Sequence, residues 1–327
     1  MKKQFKLLIL VTVVLAFCAF SANAKGRKYG LFVGINKYPN PINQLAGCEN
    51  DAKQMQKILA AKYGFKLADT TLLLSEKATR QAIIDKIKMY AAQAQPGDLF
   101  VMHYSGHGTL FPDAFSDEQD ETKTIFFDDP NTPEVDYPRG KYDAAIVPVD
   151  AMDNSSKRNW RNLILDDELY GLFSEFTNKG AEVVLISDSC HSGDISKDKA
   201  SKEKMRMTPL LRVFEAQSFD DLKLEKPETE RKITDRSMNN LYIVLTGANS
   251  DEYASDGAPK VRQMGLFTET LVQALTAAGA NRLTYAKLMT KVSNQVSTTA
   301  AKRNRDQHPQ LEKRFGNTNA AIFSVPK

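Results

Sequence analysis

Five short apolar runs restrict this chain more than any other feature. They are Lys28–Ile35, Thr71–Leu74, Leu99–Tyr104, Glu182–Ser187 and Leu241–Thr246. Each is strand-length, and the stretches between several of them have helical spacing. Asn50 or Asp51 can cap a helix running to about Tyr63. Thr79 can cap a second, with Ile83, Ile84, Ile87 and Met89 or Tyr90 on one face. Asp166 and Asp167 open a third through Leu169, Leu172, Phe173 and Phe176, and two more are predicted over 265–278 and 284–301. Ala144–Val149 and Ala320–Val325 read as further short strands. Strands alternating with helices predict an α/β sandwich of three layers, a mainly parallel central sheet with helices on both faces. In such sheets, sites form beyond the carboxyl ends of the strands.

Two of the runs end in strings that carry chemistry. Leu99–Tyr104 is followed by Ser105-Gly106-His107-Gly108, and Glu182–Ser187 by Asp188-Ser189-Cys190-His191-Ser192-Gly193. A parallel sheet brings His107 and Cys190 to one edge. A thiol is a weak nucleophile while protonated, and a nearby imidazole can take its proton. The amides of Gly108 and Cys190 are candidates to hold a tetrahedral oxyanion, which suits amide hydrolysis. Taken alone, a histidine is more often structural, and a cysteine after a strand is usually a small buried hydrophobe. His191 is the poorer base, since adjacent side chains of an extended segment point apart. Asp188 shares a side of the chain with Cys190, and Asp51 lies at the mouth of the first strand–helix unit. Two carboxylates beside the nucleophile favour a cationic substrate side chain, arginine above all, although Asp51 could also be a plain helix cap.

The first 24 residues set the compartment. Lys2, Lys3 and Lys6 precede an apolar run from Leu7 to Phe20, which ends in Ser21-Ala22-Asn23-Ala24. That is the layout of a secretory signal peptide, with cleavage after Ala24. The apolar run is short for a bilayer span of roughly 20 residues. The chain has a formal net charge of +4, and three of those charges leave with the leader. A nearly neutral mature chain argues against a nucleic-acid partner. Cys48 and Cys190 remain, enough for one disulfide but not for a disulfide-built fold. Residues 112–142 are acidic, Pro-rich and poorly periodic, and 194–238 are densely charged with mixed signs. Both read as long loops, the second as a mobile one inside a single domain spanning 25–327.

Tyr104-Ser105-Gly106-His107-Gly108 and Asp188-Ser189-Cys190-His191-Ser192-Gly193 resemble the His and Cys blocks of metacaspases. Gly34-Ile35-Asn36, Leu45-Ala46-Gly47-Cys48-Glu49-Asn50-Asp51-Ala52, Tyr142-Asp143 and Val147-Pro148-Val149-Asp150 match the same family in order and spacing. The resemblance covers roughly residues 27–280. It implies a caspase-like sandwich and hydrolysis of peptide bonds after Arg or Lys by a cysteine endopeptidase of the bacterial metacaspase type. It also implies a basic-residue pocket at Cys48, Asp51, Ser105 and Asp188, which makes a Cys48–Cys190 disulfide unattractive. Calcium activation is implied too, with donors at Asp143, Asp166 and Asp167 and a further acid at Asp194 or Asp198. Calcium takes six to eight oxygens, and no EF-hand string is present, so separate segments would supply them.

The expected protein is therefore an exported enzyme, periplasmic or extracellular, acting as a single chain on peptides or proteins with Arg or Lys before the scissile bond. It has no membrane partner beyond export, and it is expected to cut itself within 194–238. The alternatives are an inactive caspase-like binding scaffold and an Asp-directed caspase, which would need a cationic pocket. Export carries its own test: protein recovered from outside the cytoplasm should begin at Lys25 on N-terminal sequencing, and an intact Met1 would remove the leader.

Overall fold

In the computed structural model the described residues are 26–39, 42–112, 142–151, 162–190, 206, 241–249, 252–257, 263–278, 283–312 and 317–325. Strands β1 (Lys28–Gly34), β2 (Thr70–Leu74), β3 (Leu99–Ser105), β7 (Glu182–Asp188), β8 (Tyr242–Thr246) and β9 (Gln310–Glu312) form one sheet in the order β2-β1-β3-β7-β8-β9. Every pairing is parallel except that of β9, which returns antiparallel along β8. Strands β4 (Gly108–Pro112), β5 (Tyr142–Ile146) and β6 (Ile164–Leu165) form a separate antiparallel sheet. Among the described residues the α-helices are α1 (Cys48–Tyr63), α2 (Arg80–Gln93), α3 (Asp166–Thr177), α4 (Leu266–Ala277) and α5 (Tyr285–Ala301).

The continuous apolar strands are explained by burial on both faces. Successive side chains of a strand point to opposite sides. Thus Leu31, Val33, Phe100, Met102 and Tyr104 join Ile83, Ile84 and Ile87 of α2 and Leu172, Phe173 and Phe176 of α3 in one core. Phe32, Leu99, Val101, Val184 and Ile186 join Met55 and Leu59 of α1, Phe267 and Leu271 of α4, and Leu288 and Val292 of α5 in the other. The result is the three-layer sandwich that the alternation of runs predicts.

The register sets up the site. In the β3–β7 pairing, Ser105 lies opposite Asp188. His107 and Cys190 each follow two residues later, so they leave the sheet from matched positions.

Three local expectations change. Helix α1 begins at Cys48 with Gly47 as its N-cap and no side-chain cap, so Asp51 lies inside the first turn and is buried. Gly108–Pro112, where no strand is expected above, forms one by pairing with β5. Ala320–Val325 is not a strand: apart from one isolated bridge from Ala321 to Thr284, it turns, with Phe323 at φ +50. Its apolar character serves burial, since Ile322 and Phe323 plug the α5 side of the core. The Phe323 N–H donates to the Tyr285 hydroxyl, and its carbonyl accepts from Lys28 Nζ.

Phe100 anchors the α2–α3 core. Its ring stacks on Phe176 at a centroid distance of 4.5 Å and lies against Tyr90 and Phe173. Phe100→Ala should therefore destabilise the fold by about 3–5 kcal/mol, measured by urea unfolding in a Cys190→Ala background. A loss below about 1 kcal/mol would show that this core collapses freely around the void.

Candidate active site

The His107 backbone is pinned before its ring is placed. Its N–H donates to the Tyr38 hydroxyl at 3.0 Å, and its carbonyl accepts from Tyr104 Oη at 2.6 Å and from Val147 N at 3.1 Å. Tyr104 and Tyr38 also both donate to the Val147 carbonyl at 3.1 Å. Gly106 permits this close approach, since a Cβ there would lie 2.6 Å from Tyr104 Oη and 2.8 Å from Tyr38 Oη. The ring rests against Tyr38, with centroids 4.8 Å apart. His107 Nε2 lies 2.7 Å from the carbonyl of Asn43. A carbonyl only accepts, so Nε2 carries the proton and Nδ1 is the basic nitrogen. Nδ1 is buried and makes no hydrogen bond of normal geometry among the described residues. Burial pushes the imidazole down to about 4, against the opposing pull of the Asn43 and Arg206 backbone contacts, so it is neutral at pH 7.

Cys190 is fully buried and free, as is Cys48. Its Sγ accepts the Ala254 N–H at 2.6 Å and lies 3.5 Å from the Ala254 carbonyl. Burial pushes the thiol up to about 12, with the Ala254 and Arg206 backbone contacts acting the other way. The site at neutral pH therefore pairs a neutral thiol with a neutral imidazole.

Within the charged 194–238 segment, one described residue comes back to this edge. Arg206 is fully buried. Its carbonyl accepts from the Gly108 amide at 3.0 Å and from the Cys190 amide at 3.3 Å, and its own N–H donates to the Ala254 carbonyl at 3.3 Å. These are the two amides that the sequence marks for an oxyanion. Its side chain enters a cavity lined with acids. Nη1 bonds Ser105 Oγ at 2.8 Å, Asp188 Oδ2 at 2.8 Å and the Asp188 carbonyl at 3.2 Å. Nη2 bonds Asp51 Oδ2 at 2.5 Å and Asp256 Oδ1 at 3.1 Å.

Buried carboxylates need partners of their own, and backbone amides at two helix starts provide them. Asp51 accepts from the amide of Gly265, the N-cap of α4, at 3.0 Å. Asp188 Oδ2 accepts from Thr268 N at 3.1 Å and Thr268 Oγ1 at 2.6 Å, in the first turn of the same helix. Asp256 accepts from Ala46 N at 2.6 Å and Gly47 N at 3.0 Å, where α1 begins. Helix N-termini favour negative charge. Burial nonetheless raises Asp51 to about 7, with the Arg206 guanidinium opposing and Asp188 reinforcing that rise.

The expected pocket residues Asp51, Ser105 and Asp188 thus converge on one guanidinium. Cys48 joins them through Asp256, to which its Sγ is directed at 3.8 Å. Asn43, Asp256, Gly265 and Thr268 escaped the sequence reading. Asn43 and Asp256 come from loops, and Gly265 and Thr268 from the cap and first turn of α4; only Asp256, in Ala254-Ser255-Asp256-Gly257, has a titratable side chain to draw notice. Asp143 is buried next to β4, and Asp166 and Asp167 occupy the first turn of α3. Among the described residues, no group of three or more His, Cys, Asp or Glu side chains is arranged to hold a metal. Asp194 and Asp198, like His191, lie outside the described residues.

Residues 27–318 match the caspase domain. The chain belongs to the caspase-domain family. Among curated relatives, metacaspase-8 of Arabidopsis thaliana is 33% identical over 173 residues, 51% of this chain and 38% of that protein. Metacaspase-1 of Schizosaccharomyces pombe is 30% identical over 178 residues, 53% of this chain and 35% of that one. The chain thus matches little more than a third of the length of these relatives. Among solved structures, a Geobacter sulfurreducens protein superposes with a TM-score of 0.62 at 23% identity, covering 92% of this chain and 100% of that one. Caspase-1 of Spodoptera frugiperda superposes with a TM-score of 0.54 at 13% identity, covering 93% and 92%. The second superposition bears out the caspase-like fold.

Burial of both caspase-domain cysteines gives a direct check. A thiol reagent should label neither Cys48 nor Cys190 in the uncut chain at pH 7. Because the folded pKa of Cys190 lies above its ordinary value of 9.0, labelling should gain little until the pH approaches 12. Both cysteines should label at once in denaturant without reductant. Labelling of neither in denaturant would mean that they are bonded.

Proposed function

We propose that this caspase-domain protein is a cysteine endopeptidase that cleaves after arginine or lysine, and that its own Arg206 is the first such residue it meets. The supporting observation is the posture of Arg206. Its backbone is held at both N–H and C=O, its carbonyl faces the amide of the nucleophile residue itself, and its side chain fills an acidic pocket. A residue preceding a scissile bond needs these same three things.

His107 Nδ1 takes the thiol proton as Sγ adds to the Arg206 carbonyl carbon. The negative charge on oxygen is stabilised by the Gly108 and Cys190 amides, donors already directed at it. Collapse of the adduct expels the Met207 nitrogen, which receives the proton from His107. Water then hydrolyses the thioester, with His107 again as base, and leaves Arg206 as a carboxylate. The Asn43 carbonyl holds the imidazole in the tautomer this sequence requires and stabilises the imidazolium formed midway.

Three carboxylates around the pocket would repel an aspartate side chain, which disfavours the Asp-directed alternative. An inactive scaffold would have no use for a base whose free nitrogen is buried. Calcium activation rests on the resemblance alone. The donors it would need beyond Asp143, Asp166 and Asp167 include Asp194 or Asp198, and no step above runs through a metal. The basic leader with its apolar core supports export to the periplasm or beyond.

The purified chain should cut itself between Arg206 and Met207, while Cys190→Ala stays whole and His107→Ala is slowed by at least about a hundredfold. Mass spectrometry of the fragments reads the site. Cleavage of Cys190→Ala at an equal rate would remove the nucleophile, and a Cys190-dependent cut elsewhere would remove Arg206.

A further inference from the structure

The pocket meets the guanidinium with one group of acceptors at each terminal nitrogen, the two linked by the hydrogen bond from Ser105 Oγ to Asp51 Oδ2 at 2.8 Å. Ser105 Oγ, Asp188 Oδ2 and the Asp188 carbonyl all bond Nη1. Asp51 Oδ2 and Asp256 Oδ1 both bond Nη2. We propose that Asp256 is a specificity-determining residue that makes this pocket select arginine over lysine, by rewarding the second terminal nitrogen that lysine lacks. The inference rests on the reading of the site as a peptidase pocket for basic side chains.

The reasoning is geometric. A guanidinium is a planar fork whose terminal nitrogens point in different directions, whereas an ammonium is a single compact charge. A lysine Nζ could settle at one group of acceptors. It would then leave carboxylates of the other group buried without a cation, and an uncompensated buried charge is strongly unfavourable. The acceptors cannot close up around a smaller head. Asp256 is fully buried, with Oδ2 tied to Ala46 N and Oδ1 to Gly47 N. Asp51 is likewise held by the Gly265 amide and Ser105 Oγ, and Asp188 by Thr268.

The wall of the pocket is shaped to the same fork. A Cβ on Gly265 would lie 2.4 Å from Nη2, 2.5 Å from Cζ and 2.7 Å from Nη1 of Arg206. The φ of Gly265 is −62, which any residue adopts, so the backbone does not demand glycine there. What the missing side chain provides is room for the flat head. The competing account is that Asp256 only fastens the start of α1 through Ala46 and Gly47. In that case its removal should injure cleavage after arginine and after lysine alike.

The test compares fluorogenic peptides that are identical except for Arg or Lys before the reporter, on the self-cut wild-type protein and on Asp256→Asn. The wild type should prefer Arg by about thirtyfold or more in kcat/KM. In Asp256→Asn, kcat/KM for Arg should fall about tenfold or more while that for Lys moves less than about threefold, so that the preference collapses. Should Asp256→Asn fail to fold, the full-length chain supplies its own assay. Arg206→Lys should slow the cut at position 206 at least about tenfold relative to the wild type. A wild-type ratio near one, an equal fall for both peptides, or an undiminished cut in Arg206→Lys would overturn the role of Asp256 and leave the basic-residue peptidase standing. Absence of any cleavage, of either peptide or of the chain itself, would take both down.

Discussion

One buried guanidinium holds the acidic edge of this protein together. Arg206, Asp51, Asp188 and Asp256 are all fully buried, and removing one partner from such a set costs about 3–5 kcal/mol. The arrangement is tolerable only because each carboxylate has a second source of stabilisation. Asp51 and Asp188 face the amino end of α4, and Asp256 faces that of α1. Two helix starts are thus aimed, through carboxylates, at one side chain. The helices are where they are because their apolar faces share one layer against the sheet, so the pocket's charge and the core's packing depend on each other.

The sheet does the rest of the positioning. The rung that pairs Ser105 with Asp188 supplies two pocket residues at once, and the two strand extensions beyond it carry the imidazole and the thiol. Val147, just past β5, joins the small antiparallel sheet to this edge through Tyr38, Tyr104 and the His107 carbonyl. The second sheet therefore acts as a brace for His107. Burial, rather than a preformed ion pair, sets the protonation states: it lowers His107 and raises Cys190.

What was legible in the sequence follows from this layout. The central strands are buried on both faces and announce themselves as continuous apolar runs. His107, Cys190, Asp188, Ser105 and Gly108 sit at or beyond the ends of those runs, so a parallel sheet alone brings them together. Asp51 was readable as an acid near the nucleophile but not as a member of the helix, because glycine at the N-cap conceals where α1 begins. Asp256 and Gly265 come from turns whose conformation is dictated by distant partners, and no local pattern encodes that. Arg206 was one of many basic residues in a charged segment, and nothing in its neighbours distinguishes it. The terminal run 320–325 misled because burial without strand pairing leaves the same apolar signature.

The pocket's parts are scattered along the chain. Ala46 and Gly47, Asp51, Ser105, Asp188, Arg206, Asp256, Gly265 and Thr268 come from six or more separate segments, and none of these segments carries a working fragment. A chain still unfolded has a thiol and an imidazole but no means to bring them to bear on an arginine. On the proposed reading, a severed Arg206 bond would mark a chain in which every one of these segments had docked.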